Sequence, residues 1–599
     1  MTRIEDYGLI GDTHTAALVS RGGSIDWLCL PRFDSGACFA ALLGGDDHGR
    51  WLIAPRGGYT HTSRQYLEGT LVLQTVFETH DGEVEVLDFM PFPSLEDEVD
   101  VMRVVRGRRG SVPMEMELVL RFDYGSVVPW VRRRDFGLTA IAGPNAVSFH
   151  SPVALENKDF RTRANFTVRE KDEISFTLTW HPSHHPQPPQ PILAARALDQ
   201  TIQHWRRWSE HYKGGGSWRD AAKRSLITLK ALTYAPTGGI VAAPTTSLPE
   251  QLGNVRNWDY RYCWLRDATF TLYTLLVAGF VDEAIAWRDW LLRAIAGKPE
   301  QLQIMFGLGG ERLLPEYEID WLPGYEGSEP VRVGNAAHRQ FQLDVYGEVM
   351  DVFHVARRSG ISPDEDGWLF QKELLGTLER VWRQPDEGLW EVRGPRRNFT
   401  HSKMMAWVAF DRGVKAIEQA YLDGPLDKWR RLREEVKRDV LEHGYDPEQN
   451  AFVQYYGTKD LDAALLMMPL VGFLPPNDPR VVGTIDAIQR RLMADGFVRR
   501  YVTKEHVDGL PEGEGFFLPC TFWLADALIL QGKREEGLKV FQRASAAAND
   551  LGLFSEEFDP ASGRQLGNFP QAFTHVAFVN TIHNLALPET GPAQARSQQ

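Results

Sequence analysis

Three stretches of this sequence place carboxyl groups where they could move protons. In "DEGLWEVRG", Glu391 follows Trp390 in a turn-rich stretch between helical patterns. A carboxyl set against an indole loses solvation, which raises its pKa and keeps a proton available near neutral pH. In "LFSEEFDPASGRQLGNFPQAFTH", Glu556 and Glu557 are adjacent. Like charges so close seldom share one environment, so one is expected to face a pocket and the other solvent or a basic partner. In "RRYVTKEHVDGLPEGEGFFLPCTFWLADAL", Arg500, Glu512 and Glu514 flank or occupy a Gly-containing loop. Each stretch taken alone also reads as an ordinary solvated acidic loop.

A fourth stretch, "NWDYRYCWLRDATFTLYTLL", sets rings beside fixed charges: Trp258, Tyr260, Trp264, Arg266 and Asp267. Arg266 and Asp267 adjoin at a helix start, where an acid also suits the helix dipole. Together they offer several donors and acceptors, a match for vicinal sugar hydroxyls, each of which needs both. An ion pair plus helix cap explains the same pair without a ligand. "MFGLGGE" hints at a phosphate-binding nest but lacks the Lys-Ser/Thr of a P-loop.

These loops must be held by elements. "DGEVEVLDFMPF" alternates Val84, Val86 and Asp88 against Glu83, Glu85 and Leu87, after a His80-Asp81-Gly82 turn signal. Similar period-two patterns run from Met114 to Phe122 and up to Trp180, which predicts antiparallel sheets packed as a sandwich. "HPSHHPQPPQP" then interrupts as a spacer. Its His181, His184 and His185 make a poor metal site, since prolines break the ligand face and no acid or Cys sits nearby. A helix follows with Trp205, Trp208 and Tyr212 on one stripe, ending before Gly214–Gly216; it predicts a linker helix docked on the next domain. From Trp218 the period is helical. Segments start near Trp218, Cys263, Val281, Gln340, Asp364, Ser402, Leu426, Asp460, Val481, Phe517, Lys533 and Gln571. Twelve helices suit a toroid of six inner and six outer helices; their number alone leaves a solenoid open. No self-similarity at 34 to 47 residues is seen, which argues against ordinary helical repeats. A toroid gathers its loops at two rims, so distant segments can converge on one funnel.

The expected fold is therefore multi-domain, β followed by all-α. An antiparallel β-sandwich spans 1–185, a linker helix 186–216, an (α/α)6 barrel 217–590 and a disordered polar tail 591–599. The 599 residues, 43% hydrophobic, are too many for one ordinary domain. A net charge of −14 with no long basic run argues against nucleic-acid or anionic-membrane partners. The 18 Trp could serve as sugar platforms, though most Trp fill core. Cys29, Cys38, Cys263 and Cys520 stand far apart with no CxxC, which predicts free buried thiols in a reducing compartment. With no leader pattern at the start and no long apolar run, a cytoplasmic location is expected.

The quoted motifs resemble glycoside hydrolase family fifteen, the glucoamylase-like enzymes. "WLRDA" resembles the family's tryptophan–x–arginine–aspartate signature that grips the non-reducing sugar. "LWEV" with "FTHSK" behind it resembles the general-acid segment and places that role on Glu391; "SEEFDPASGRQL" resembles the general-base segment and places that role on Glu556. "RRY" before "GEGFFL" resembles a sugar-binding arginine segment, here Arg500, with Glu514 beside it. "GYEGSEPVRVGNAA", Gly324 to Ala337, resembles the loop beside the adjacent sugar site. The motifs keep family order from Trp258 to His575. "IEDYGLIGDTHTAALVSRGGSIDWLCLPRFDS" resembles the trehalase-like N-terminal domain of bacterial members. In one departure, Val392 follows Glu391 where fungal members carry a second acid. The resemblance implies an exo-acting, inverting hydrolase of an α-glucosidic bond, with Tyr260 near the base and Trp258, Trp264, Arg266, Asp267, Trp390, Arg500 and Glu514 binding substrate. It favours α,α-trehalose. A glucoamylase or isomaltose-type glucosidase is the alternative, and a catalytically inactive sugar-binding protein is another of a different class. Some bacterial relatives are described as needing phosphate and magnesium. The sequence shows no clean metal constellation, so neither a metal nor a cofactor is assigned. The partner expected is the carbohydrate itself; homo-oligomerisation is left open.

Overall fold

A computed structural model describes residues 1–92, 97–185, 189–190, 192–361, 365–587 and 591–597. The N-terminal body is an antiparallel β-sandwich. Its organising strand is Val99–Val119, which belongs to both layers. The first part pairs with Gly82–Phe89 and Glu173–Pro182, the second with Arg50–Pro55 and Arg161–Arg169. The strand changes layer where Glu83 faces Arg109 while Val84 faces Gly107, leaving Arg108 bulged. Bulges bend and twist a strand, and Gly110, at φ 70°, supplies the left-handed residue the corner needs. Between the layers Trp51 meets Phe149 edge-on at 5.4 Å, and Phe166 meets Phe176 at 5.5 Å.

The period-two phase explains two buried features. Asp88 falls on the Val84/Val86 face and is carried inside, where Arg103 neutralises it at 2.7 Å with both side chains fully buried. Leu87 points the other way. With Val72, Phe89, Met102 and Val104 it makes an apolar patch on the outer face, and helix α1 (Ala194–Ser209) covers that patch with Ala197 and Leu198. The helix expected to dock on the following domain thus binds the sandwich as well. Its Trp208 stacks on Phe280 of the helical body at 4.2 Å.

The helical body holds α2 (Arg219–Ala231), α3 (Leu265–Ala278), α4 (Val281–Ile295), α5 (Asp344–Arg358), α6 (Glu365–Val381), α7 (Thr400–Ala420), α8 (Leu426–His443), α9 (Met467–Leu470), α10 (Pro479–Arg491), α11 (Glu505–Asp508), α12 (Leu518–Leu530), α13 (Arg534–Ser545), α14 (Ala572–Ala586) and α15 (Pro592–Ser597). α3, α5 and α7 touch in sequence, α7 reaches α9 through the 3-10 turn Ala463–Leu466, α9 touches α12, α12 touches α14, and α14 returns to α3. That closed inner ring, with α2, α4, α6, α8, α10 and α13 outside it, is an (α/α)6 barrel. Helix burial follows position. α12 is buried from Leu518 to Ile529, whereas outer α8 buries only Trp429, Leu432, Val436 and Val440, one stripe at helical spacing. Inner α9 is a stub, preceded by a 3-10 turn at Ala463–Leu466 and ended at Gly472, whose φ is 77°.

Of the tail 591–599 expected to be disordered, Pro592–Ser597 forms helix α15, and 598–599 lie outside the described residues. The helix lacks an apolar period, but side chains of the barrel hold its backbone: the Tyr273 hydroxyl donates to the Pro592 carbonyl at 3.0 Å, and the Ala593 N–H donates to Asn584 Oδ1 at 2.8 Å. The four cysteines are buried and unpaired. Among the described residues no helix is long and apolar enough to cross a membrane.

The two bodies interlock. Trp27 Nε1 of the sandwich donates to the Pro244 carbonyl at 2.8 Å, and Trp321 Nε1 of the barrel donates to the Tyr124 carbonyl at 3.0 Å. Arg261, fully buried, pairs with Asp259 at 2.7 Å and donates to the Ser35 carbonyl at 2.9 Å. At the sheet's end, strand Tyr7–Gly11 pairs on one side only. Asn549 Nδ2 caps it from the barrel, donating to the carbonyls of Glu5 and Tyr7 at 3.1 and 2.9 Å. Asp550 beside it binds Arg21 and Arg64 at 2.9 and 2.6 Å.

Candidate active site

Loops before the inner helices meet at one cavity. Trp258, Tyr260, Trp264, Arg266, Asp267, Trp390, Glu391, Arg500 and Glu556 all line it. Glu514 stands behind that wall, bound to Arg500 at 2.6 Å.

Glu391 sits on a turn with φ 58°. A non-glycine residue there costs of order 1–3 kcal/mol and persists only where its surroundings enforce it. The enforcement is visible: its N–H donates to the Gly388 carbonyl at 3.1 Å, and Gln340 Nε2 donates to the carbonyls of Glu391 and Val392, both at 3.1 Å. The carboxyl thus projects into the cavity beside Trp264, whose Nε1–H donates to its Oε1 at 2.7 Å. Burial raises the Glu391 pKa; Arg266, 3.5 Å away, and the Trp264 indole pull against that rise, and Asp267 adds to it.

Glu556 lies just before a short hairpin, Glu557–Asp559 paired with Arg564–Leu566. Its Oε1 accepts from the Tyr260 hydroxyl at 2.6 Å and its Oε2 from the Asn568 N–H at 3.3 Å. Gly567 is required here, because its φ is 71° and a Cβ would lie 2.5 Å from Glu556 Oε2. Burial, then the charge of Glu250, pushes the Glu556 carboxyl up to about 8, while Arg500 and Tyr260 pull it down. Burial, then Glu556, drives the Tyr260 phenol well above its ordinary range, so it remains a donor.

Tyr260 and Trp264 stand edge to face at 5.3 Å. One carboxyl hangs from the hydroxyl of the first ring and the other from the indole N–H of the second. An aromatic pair therefore sets the two acids around one hollow. Arg266 binds Asp267 at 2.8 Å and the Leu389 carbonyl at 2.8 Å, which ties the start of α3 to the Glu391 turn. Trp390 donates to Asp462 at 2.9 Å.

The structure adds residues the sequence did not single out. Glu250 and Arg256 line the cavity, and Arg256 binds Asp508 at 2.7 Å. Trp258 lies under two guanidiniums, Arg332 at 4.6 Å and Arg393 at 4.5 Å from its ring centre, and donates to Glu250 at 3.1 Å. Asn335 and Ala337, from the Gly324–Ala337 loop, reach the same cavity. Of the adjacent acids, Glu556 faces the cavity and Glu557 faces Arg500 at 3.2 Å, the pocket-and-basic-partner split expected of them.

Among the described residues, the grouping whose oxygens lie close enough to share an ion is Glu250, Glu514 and Glu557, within 4.8 Å of one another. Arg500 Nη2 already sits among them, so a guanidinium takes the place of a metal ion. The Gly307–Glu311 turn is no free anion nest either, since the Glu311 carboxylate accepts from the Gly309 N–H at 2.8 Å. His181 is satisfied by Ser148 at 3.2 Å.

Residues 216–583 match the family described as Glycosyl hydrolases family 15, and residues 1–179 match the one described as Trehalase-like, N-terminal. A trehalase of Mycobacterium tuberculosis is 38% identical over 98% of this chain and 90% of that protein. A trehalase of Thermoplasma volcanium is 33% identical over 97% of this chain and 93% of that protein. A bacterial glucoamylase solved with acarbose superposes over 100% of this chain and 96% of its own with a TM-score of 0.71, at 12% identity, a likeness of fold.

Proposed function

The chain belongs to the glycosyl hydrolases of family 15, and from that membership we propose that it hydrolyses α,α-trehalose to two glucose molecules with inversion. The observation that carries the catalytic assignment is the pair of buried carboxyls held around one cavity by the Tyr260–Trp264 pair. Full-length trehalases at 33% to 38% identity support the substrate.

In this reading Glu391 is the general acid. Its burial favours the protonated form, and it gives its proton to the glycosidic oxygen as the C–O bond breaks. Glu556 is the general base. It takes a proton from the water that attacks the anomeric carbon from the opposite face. Inverting enzymes need about 6.5–9.5 Å between the two carboxyls to admit that water. The attacked glucose leaves as the β anomer and the departing glucose as the α anomer. Arg266, Asp267 and Arg500 hold ring hydroxyls, while Trp258, Trp264 and Trp390 wall the sugar faces. Trp258 with the 324–337 loop forms the leaving-sugar side.

Incubation with trehalose, maltose and isomaltose, with proton NMR of the first-formed anomers, tests the reading. Equal first-formed α- and β-glucose from trehalose is expected. Release from maltose or isomaltose alone would overturn the substrate in favour of an oligosaccharide glucosidase. Glu391→Gln and Glu556→Gln are each expected to cut turnover by about 10³-fold, within the range of one general acid or base term. Near-normal turnover in either folded variant overturns the assignment.

A further inference from the structure

Behind the cavity wall the charges do not balance. Glu250, Glu514, Glu556, Glu557 and Asp508 face Arg500 and Arg256, five acids for two guanidiniums. Tyr260, Asp462, Tyr501 and Cys520 also face the cluster. The hydrogen count is tighter still. Glu250 Oε2 at 2.8 Å, Glu514 Oε2 at 2.6 Å and Glu557 Oε1 at 3.2 Å all converge on the single atom Arg500 Nη2. A guanidinium Nη carries two hydrogens. The two nearer oxygens take them, and neither Glu557 oxygen accepts a hydrogen bond although the residue is wholly buried.

An ionised carboxyl in that position would be buried, short of donors and pressed against three others, an arrangement that strongly disfavours the charged form. One added proton removes the conflict, because it cancels a charge and supplies the missing donor hydrogen. We infer that Glu557 is held protonated in the working enzyme, beside the Glu250 and Glu514 carboxylates whose oxygens lie within 4.8 Å of its own. It is then a positioning residue rather than a catalytic one. With Glu557 neutral, the charge adjoining Glu556 in the chain is gone, which leaves burial and Glu250 to raise the Glu556 carboxyl and Arg500 and Tyr260 to favour the ionised form the base needs. Burial and the surrounding acids drive Glu557 well above the ordinary carboxyl range, in the same sense.

The inference rests on Glu556 being the base, and its test has a readout that does not. Glu557→Gln keeps the shape and presents a neutral amide whose N–H replaces the O–H. Turnover at the pH optimum is expected to stay within about 3-fold of the parent, and the acidic limb of kcat/KM against pH within about 0.3 unit. A downward shift of that limb by about one unit, as expected when a real charge beside Glu556 is removed, overturns the inference. Independently of activity, the double variant Glu391→Gln, Glu556→Gln with ¹³C-labelled glutamate carboxyls is expected to keep one carboxyl signal at the protonated position at about pH 7.5. No signal there overturns the inference even if Glu557→Gln does not fold, and leaves the assignment of Glu556 untouched.

Discussion

The indole of Trp264 does two jobs that one residue type can combine. In the proposed function its face belongs to the sugar wall, and its N–H stabilises the ionised form of Glu391. Trp264→Phe keeps the ring and deletes the donor. A hydrogen bond to a charged group is worth about 1.5–3 kcal/mol, or about one to two pKa units. Its loss disfavours the carboxylate, so the Glu391 pKa rises, and the alkaline limb of the pH–kcat profile should move up by about one unit. A limb that stays put or moves down refutes the coupling. Both proposed catalytic acids were legible in the sequence because each stands in an extended local motif, "LWEV" and "SEEFDP". Glu250, Arg256 and Arg393 were not. Each carries no local pattern, and they matter only because the fold brings the 250s, the 390s and the 500s to one wall.

At the level of elements, apolar periodicity found eleven of the twelve barrel helices close to their starts, because each must bury a stripe or a whole surface; the segment expected from Asp460 is instead a 3-10 turn followed by the stub α9. Periodicity missed α15, which is held through its backbone and has no stripe to show. The sequence also gave no warning of buried acids inside helices, where the pattern reads them as solvent-facing. Asp526 on α12 is one: it is buried, accepts from Asn584 of α14 at 2.8 Å, and burial pushes it up to about 7. Its folded pKa lies above the unfolded value of about 3.9. The stability it contributes is therefore intact below about pH 4 and lost as pH rises through 7. Asp526→Asn holds the neutral state permanently. It should stabilise the protein by about 1.5 kcal/mol near pH 5 and by up to the order of 4 kcal/mol at about pH 8.5, read as a melting-temperature gain that grows with pH. An equal effect at both pH values would show that ionisation is not the cause.

Across the whole molecule, the sandwich helps to build the site. Arg261 is next to Tyr260, and its guanidinium is anchored on Asp259 and on the Ser35 carbonyl across the domain boundary. Asp259 in turn accepts from the Gly334 N–H at 3.0 Å, beside the Asn335 that lines the cavity. Arg261→Met strands a buried carboxylate and should cost about 3–5 kcal/mol in stability. The double variant Asp259→Leu, Arg261→Met should recover much of that loss, yet remain slow in turnover because Tyr260 is no longer braced. Full recovery of turnover would show that the pair acts on stability alone. The cap on strand Tyr7–Gly11 has a further consequence, for biosynthesis. Asn549 lies 544 and 542 positions after the Glu5 and Tyr7 carbonyls it holds. Tyr66 of the sandwich already serves Leu9 on the same margin, so the Glu5–Tyr7 end is what stays unserved while the barrel is being synthesised, and an unserved strand margin is a template for another chain. Synthesis of the segment that carries Asn549, rather than completion of the sandwich, closes that window.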